Sequence, residues 1–197
     1  MQPSFKALIL LTFATVLLLL PFVFSPVYVE VMRDRAIELY HVLRGELYKQ
    51  ATGFAALTFV IVEVLLTVRK RSRSWPFSIK VPGSMKIWRS VHIYSGVILL
   101  ALVAVHTIGA RGLNFNAVLL WVFFGVTLTA LVGAVAETGL LESTRRRFGT
   151  WPGSAKPLTK GVLVRNLRSI WLTSHIFLVW MFAVMLAIHI FLVYYFA

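Results

Sequence analysis

The sequence predicts an all-α integral membrane bundle of five transmembrane helices, and three observations carry that expectation. Of 197 residues, 59% are hydrophobic and only 14% are charged, too little polar surface to cover a water-soluble globule of this size. Five apolar stretches stand in the chain, each near the roughly 20 residues that a helix rising about 1.5 Å per residue needs to cross about 30 Å of hydrocarbon. Basic residues gather in two of the intervening segments, as charges that set membrane topology do.

The first stretch, Phe5 to Phe24, follows Lys6 with a leucine run. It has the look of a secretory signal, but the run is long, no small-x-small cleavage site follows, and Ser25-Pro26 makes a poor junction, so it reads as a retained anchor helix. Met32, Ala36, Leu39, Tyr40, Leu43 and Leu47 then recur at three- and four-residue steps, the stripe of an amphipathic helix lying at an interface. His41 falls off that stripe, at headgroup level. Anchor and interfacial helix make a first region, residues 1–50. Gly53 to Val68, short and carrying Glu63, opens a second region, residues 51–197, which continues with Ile87 to Ala110, Ala117 to Ala136 and Ser169 to Ala197. From Arg147 to Lys160, Gly149, Trp151-Pro152-Gly153 and Pro157 call for an irregular loop.

Arg69 to Arg89 holds seven bases and no acid, and Glu137 to Arg168 holds seven bases against Glu137 and Glu142. Pro26 to Thr52 balances four bases with four acids. The positive-inside rule therefore places the two basic loops in the cytoplasm, with the amino terminus cytoplasmic and the carboxyl terminus periplasmic, in a bacterial inner membrane. The net charge of +13 is then a property of the cytoplasmic face, satisfied by anionic membrane lipid or an acidic soluble partner, with no nucleic acid needed. The absence of cysteine excludes disulfides, thiolate-held iron–sulfur clusters and covalent haem attachment, leaving histidine as the metal ligand.

Four of the five histidines lie inside predicted spans: His92 and His106 on the third, His175 and His189 on the fifth, each pair fourteen residues apart. Fourteen residues fall only some 40° short of four turns, so both members of a pair share a face, roughly 21 Å apart along the axis. One intervening span makes the third and fifth helices run in the same direction, which sets His92 level with His175 and His106 level with His189. A planar macrocycle fits between two such imidazoles better than a bare ion wanting four ligands, so the expectation is two bis-histidine haems. Ile87-Trp88 precedes His92 and Ile170-Trp171 precedes His175 at the same offset, and Ala104-Val105-His106 matches Ala187-Ile188-His189. Gly96, Gly109, Gly125 and Gly133 suit either close approach to a macrocycle or helix packing. Arg89, Arg168 and Arg111 are the candidate cations for propionates. Glu63 is either an ion-pair partner of Arg69 or a proton relay to a quinone.

Arg89-Ser-Val-His92 through His106-Thr-Ile-Gly109-Ala-Arg111-Gly112-Leu113, then Trp121 through Gly125 to Gly133, then Arg168, His175 and His189, resemble the four-helix di-haem core of cytochrome b and cytochrome b6. The transmembrane domain of ferric reductases and NADPH oxidases is similar. The resemblance covers roughly residues 51 to 197. It implies two non-covalent b-type haems, with His92 and His175 the axial and metal ligands of one and His106 and His189 those of the other. It departs from full-length mitochondrial cytochrome b in lacking a Pro-Glu-Trp-Tyr motif, and from the reductases in lacking a flavin- and nicotinamide-binding region. With both axial positions filled, the implied role is transmembrane electron transfer as the cytochrome subunit of an oxidoreductase. A flavoprotein, iron–sulfur protein or cytochrome would be its redox partner, and quinone a candidate second cofactor. The alternative is a haem-free proton-coupled transporter or assembly factor using the intramembrane histidines and Glu63. Equal spacing weighs against that, because a shared ion site wants ligands converging at one depth.

Overall fold

The structure, a computed structural model, describes residues 3–71, 83–108, 114–150 and 157–195, with the side chains of 66–71 outside the described set. It is about 87% helical, and five helices are long and apolar enough to cross a membrane. The chain divides into two compact units, one of Met1–Pro3 and Phe13–Leu113, the other of Ser4–Thr12 and Asn114–Ala197.

The first long helix, α1, spans Phe5–Val23. Pro21, which cannot donate a hydrogen bond to the turn before it, sits in its last turn. Phe24 leaves the helix, and α2 (Ser25–Arg35) restarts with a proline in its first turn. The stripe expected to form one interfacial helix is shared among three. Ala36 interrupts it with φ −145° and ψ 57°, α3 covers Ile37–Arg44, and Gly45 adopts an extended backbone with φ −63° and ψ 149°. At Gly45 a side chain would meet the Val42 carbonyl oxygen at 3.1 Å, a tight contact that glycine avoids. Met32 thus belongs to α2, Leu39, Tyr40 and Leu43 to α3, and Leu47 to the next helix.

In the first unit, α4 (Glu46–Arg71) pairs with α5 (Met85–His106). Contacts between Tyr48 and Val105 at one end and between Glu63 and Ser95 further along make the pair antiparallel. Ser84 caps α5 by accepting from the Ile87 N–H at 3.3 Å. The other end of α5 is held from α4. The Tyr48 hydroxyl donates to the Val105 carbonyl at 2.8 Å, and the Lys49 ammonium donates to the carbonyls of His106 at 2.6 Å and Ile108 at 2.8 Å. A helix terminus leaves its last carbonyls short of intrahelical donors, and the Val105 carbonyl also accepts from the Ile108 N–H at 3.3 Å.

In the second unit, α6 (Phe115–Glu142) pairs antiparallel with α7 (Lys160–Tyr195). Asn114 caps α6, its Oδ1 accepting from the Ala117 N–H at 3.0 Å. Lys160 closes the far end, donating to the carbonyls of Leu141 at 2.5 Å and Ser143 at 2.8 Å. Both helices run beyond the apolar limits Ala136 and Ser169 expected from hydropathy, because a helical hydrogen-bond ladder can continue past the hydrocarbon edge. Two short antiparallel strands, Arg147–Thr150 and Pro157–Thr159, stand where an irregular loop was expected. Gly149 enters them with φ +99°, a left-handed conformation that suits the register shift there.

Leu119, Leu120, Val122, Phe123, Phe124 and Leu131 of α6 are buried. On α7, Phe177 and Trp180 are each 66% exposed. Exposure of such large side chains is costly in water but natural for a helix facing lipid.

Candidate functional site

Each of the four intramembrane histidines directs Nδ1 at a polar atom on the neighbouring helix of its own unit. His92 Nδ1 meets the Glu63 carboxylate on α4. His106 Nδ1 lies 3.0 Å from Thr52 Oγ1 on α4. His175 Nδ1 lies 3.1 Å from the Val126 carbonyl and His189 Nδ1 lies 2.9 Å from Asn116 Oδ1, both on α6.

Partner chemistry assigns the tautomer. Amide and backbone carbonyl oxygens only accept, so His189 and His175 meet Asn116 and Val126 as donors from Nδ1–H, whereas His92 Nδ1 stands in close contact with the Glu63 carboxylate. The Thr52 hydroxyl donates its hydrogen to the Tyr48 carbonyl at 2.7 Å, so its oxygen accepts from His106. A neutral imidazole with its proton on Nδ1 keeps its lone pair on Nε2. This is the form that binds a metal through Nε2 while a second group orients the ring.

The partners follow from helix pairing. Thr52 and Glu63 are eleven residues apart on α4, and their histidines are fourteen apart on the antiparallel α5. Glu63 is tied further into α5 by the Ser95 hydroxyl on its other oxygen. Its carboxylate also lies 3.8 Å from where a Gly96 side chain would begin. Glu63 thus turns sideways to α5, and the Arg69 side chain lies outside the described residues. Gly53 plays the matching part for His106, whose ring would stand 3.3 Å from a side chain there.

On α6, Gly133 is a packing position. An added Cβ would fall 2.6 Å from the Trp171 ring, and that ring leans toward His175 with centroids 6.4 Å apart. Gly125 faces Leu178 at an ordinary 3.5 Å. Trp88, at the same sequence offset from its histidine, lies instead by Gly83, so the repeated tryptophan does not repeat its packing.

Of the three arginines expected to meet propionates, Arg89 is exposed on α5. Arg168 pairs with Glu137, an acid that is 5% exposed and that hydropathy alone would place in the loop. Arg111 lies outside the described residues. His41 is exposed on α3 and edges against Tyr40. Among the described residues, no three His, Asp or Glu side chains converge as a bare metal ion would require. Each of the four imidazoles instead meets a single oxygen of its neighbouring helix through Nδ1.

Sequence reasoning finds the histidines and Glu63 but misses Thr52, Asn116 and the Val126 carbonyl. A polar residue on the preceding helix at matching depth is the one signal available for the first two. No protein-family model, curated protein or solved structure matches the chain.

Proposed function

We propose that this chain transfers electrons across a membrane through two b-type haems, as the cytochrome subunit of an oxidoreductase similar to the cytochrome b core. His92 and His175 ligate one haem, and His106 and His189 the other. The observation that carries the reading is the shared orientation: four histidines at equal spacing, each with Nδ1 against an oxygen of its neighbouring helix. A structural histidine needs no such uniformity, whereas a ligand must keep its lone pair on Nε2 and its ring fixed.

A haem held by these histidines would supply a one-electron ferric–ferrous couple. The chain's own task is to hold the rings. Glu63, Thr52, Asn116 and the Val126 carbonyl fix the imidazole planes, and the apolar helices exclude water. Arg89, Arg111 and Arg168 supply positive charge toward propionates, Arg168 with Glu137 as its counter-ion. The basic segments Arg69 to Arg89 and Glu137 to Arg168 would attract an acidic flavoprotein or iron–sulfur subunit, and quinone is the membrane-soluble alternative as donor or acceptor. On this reading the basic segments face the cytoplasm of a bacterial inner membrane.

A dithionite-minus-air spectrum of the purified protein, expressed with haem supply, tests the reading. Two bis-histidine sites predict a reducible b-type spectrum at about two haems per chain. A protein purified under those conditions with no Soret band would refute it, and would favour the haem-free proton-coupled alternative that Glu63, His92 and Ser95 also suit.

A further inference from the structure

The four groups that hold Nδ1 differ in charge. Glu63 is a carboxylate, whereas Thr52, Asn116 and the Val126 carbonyl are neutral. Resting on the haem reading above, we infer that Glu63 makes the His92 site the lower-potential of the two. An electron shared between them then settles on the site of His106 and His189.

Two effects act in the same direction. A carboxylate set against Nδ1 polarises the imidazole, which strengthens donation from Nε2 and favours ferric over ferrous iron. The negative charge also opposes arrival of an electron nearby. Its side chain is only 17% exposed, so solvent screens that opposition weakly. The Ser95 hydroxyl steadies the carboxylate by hydrogen bonding without cancelling its charge. At the other site the Nδ1 partners, a hydroxyl oxygen and an amide oxygen, carry no net charge, and the Lys49 ammonium donates to the His106 carbonyl. Glu63 is thus a positioning residue with an electronic role: it directs downhill transfer of each single electron from the His92 end of α5 toward the His106 end.

Potentiometric titration of the purified, haem-loaded protein, followed at the α band with redox mediators, tests this. The wild type should titrate in two one-electron components, and His92→Ala should abolish the lower one. Glu63→Gln keeps an oxygen that can accept from Nδ1–H, so it should retain both haems, raise the lower component and leave the upper unmoved. Asn116→Asp makes the converse change, placing a carboxylate on His189, and should lower the upper component. The inference is overturned if His92→Ala removes the upper component, or if Glu63→Gln binds two haems with unchanged potentials. Should Glu63→Gln lose its haem, Asn116→Asp decides, and an unmoved upper component overturns the inference while the haem reading stands. A wild type without haem overturns both.

Discussion

Replacing Gly133 by alanine sets two effects of known sign against each other. Removing a glycine from a helix interior favours the helix by up to about 1 kcal/mol. Here, however, the new Cβ would meet Trp171 at 2.6 Å from Cδ2, 2.7 Å from Cγ and 3.0 Å from Cε3. Comfortable carbon contacts begin at about 3.5 Å, so the ring has to retreat by about 1 Å. A fused ring cannot yield as a flexible chain end would, and overpacking of this kind costs about 1–3 kcal/mol. The Trp171 N–H is buried with no hydrogen-bond partner among the described residues, so the ring is kept in place by packing, including its contact with the His175 ring. The expected net effect is destabilisation by about 1 kcal/mol. Gly161→Ala is the internal control, because nothing lies within 4 Å of a side chain there, and it should be neutral or slightly stabilising. Thermal unfolding in nanodiscs, followed by tryptophan fluorescence, compares the two variants. If Gly133→Ala proves as stable as Gly161→Ala, the packing argument for Trp171 and Gly133 is wrong.

Removing either His92 or His175 should abolish the same haem and leave the other visible in the reduced spectrum; loss of different haems would break the proposed pairing. Thr52→Val keeps the shape but withdraws the acceptor from His106, and loss of such an orienting partner weakens metal binding by about 10- to 100-fold. Haem titration of the apoprotein should find that loss at one site only. Arg168→Ala strands the buried Glu137 carboxylate and should cost about 3 kcal/mol. Glu137→Gln leaves an arginine whose side chain is already 54% exposed, and should cost about 1 kcal/mol. Equal losses in the unfolding assay would contradict that asymmetry.

The existence of the five long helices is legible because hydropathy and length report directly on hydrocarbon thickness. Their ends are less so. Glu137 and Arg168 read as loop charges, yet both lie on helices and pair across α6 and α7, since a window of apolar residues marks the solvent boundary and not the hydrogen-bond ladder. The stripe from Met32 to Leu47 keeps its periodicity across two breaks, and only Gly45 advertises one of them; Ala36 carries no turn signal at all. The histidine spacing is visible at once because it repeats. Their orienting groups are hidden for different reasons. Thr52 and Asn116 resemble any polar residue near a helix end, and the Val126 carbonyl has no sequence signature because every residue carries one.

The last turn of α5, with Ile108 just beyond it, is stitched to one stretch of its neighbour, Tyr48 through Thr52, by four hydrogen bonds. Cut free as a single rod, α5 would fray where His106 sits, for terminal carbonyls without donors come loose first. The smallest portable piece is accordingly the whole hairpin of α4 and α5. Anyone transplanting His106 into another scaffold must bring its stitching along.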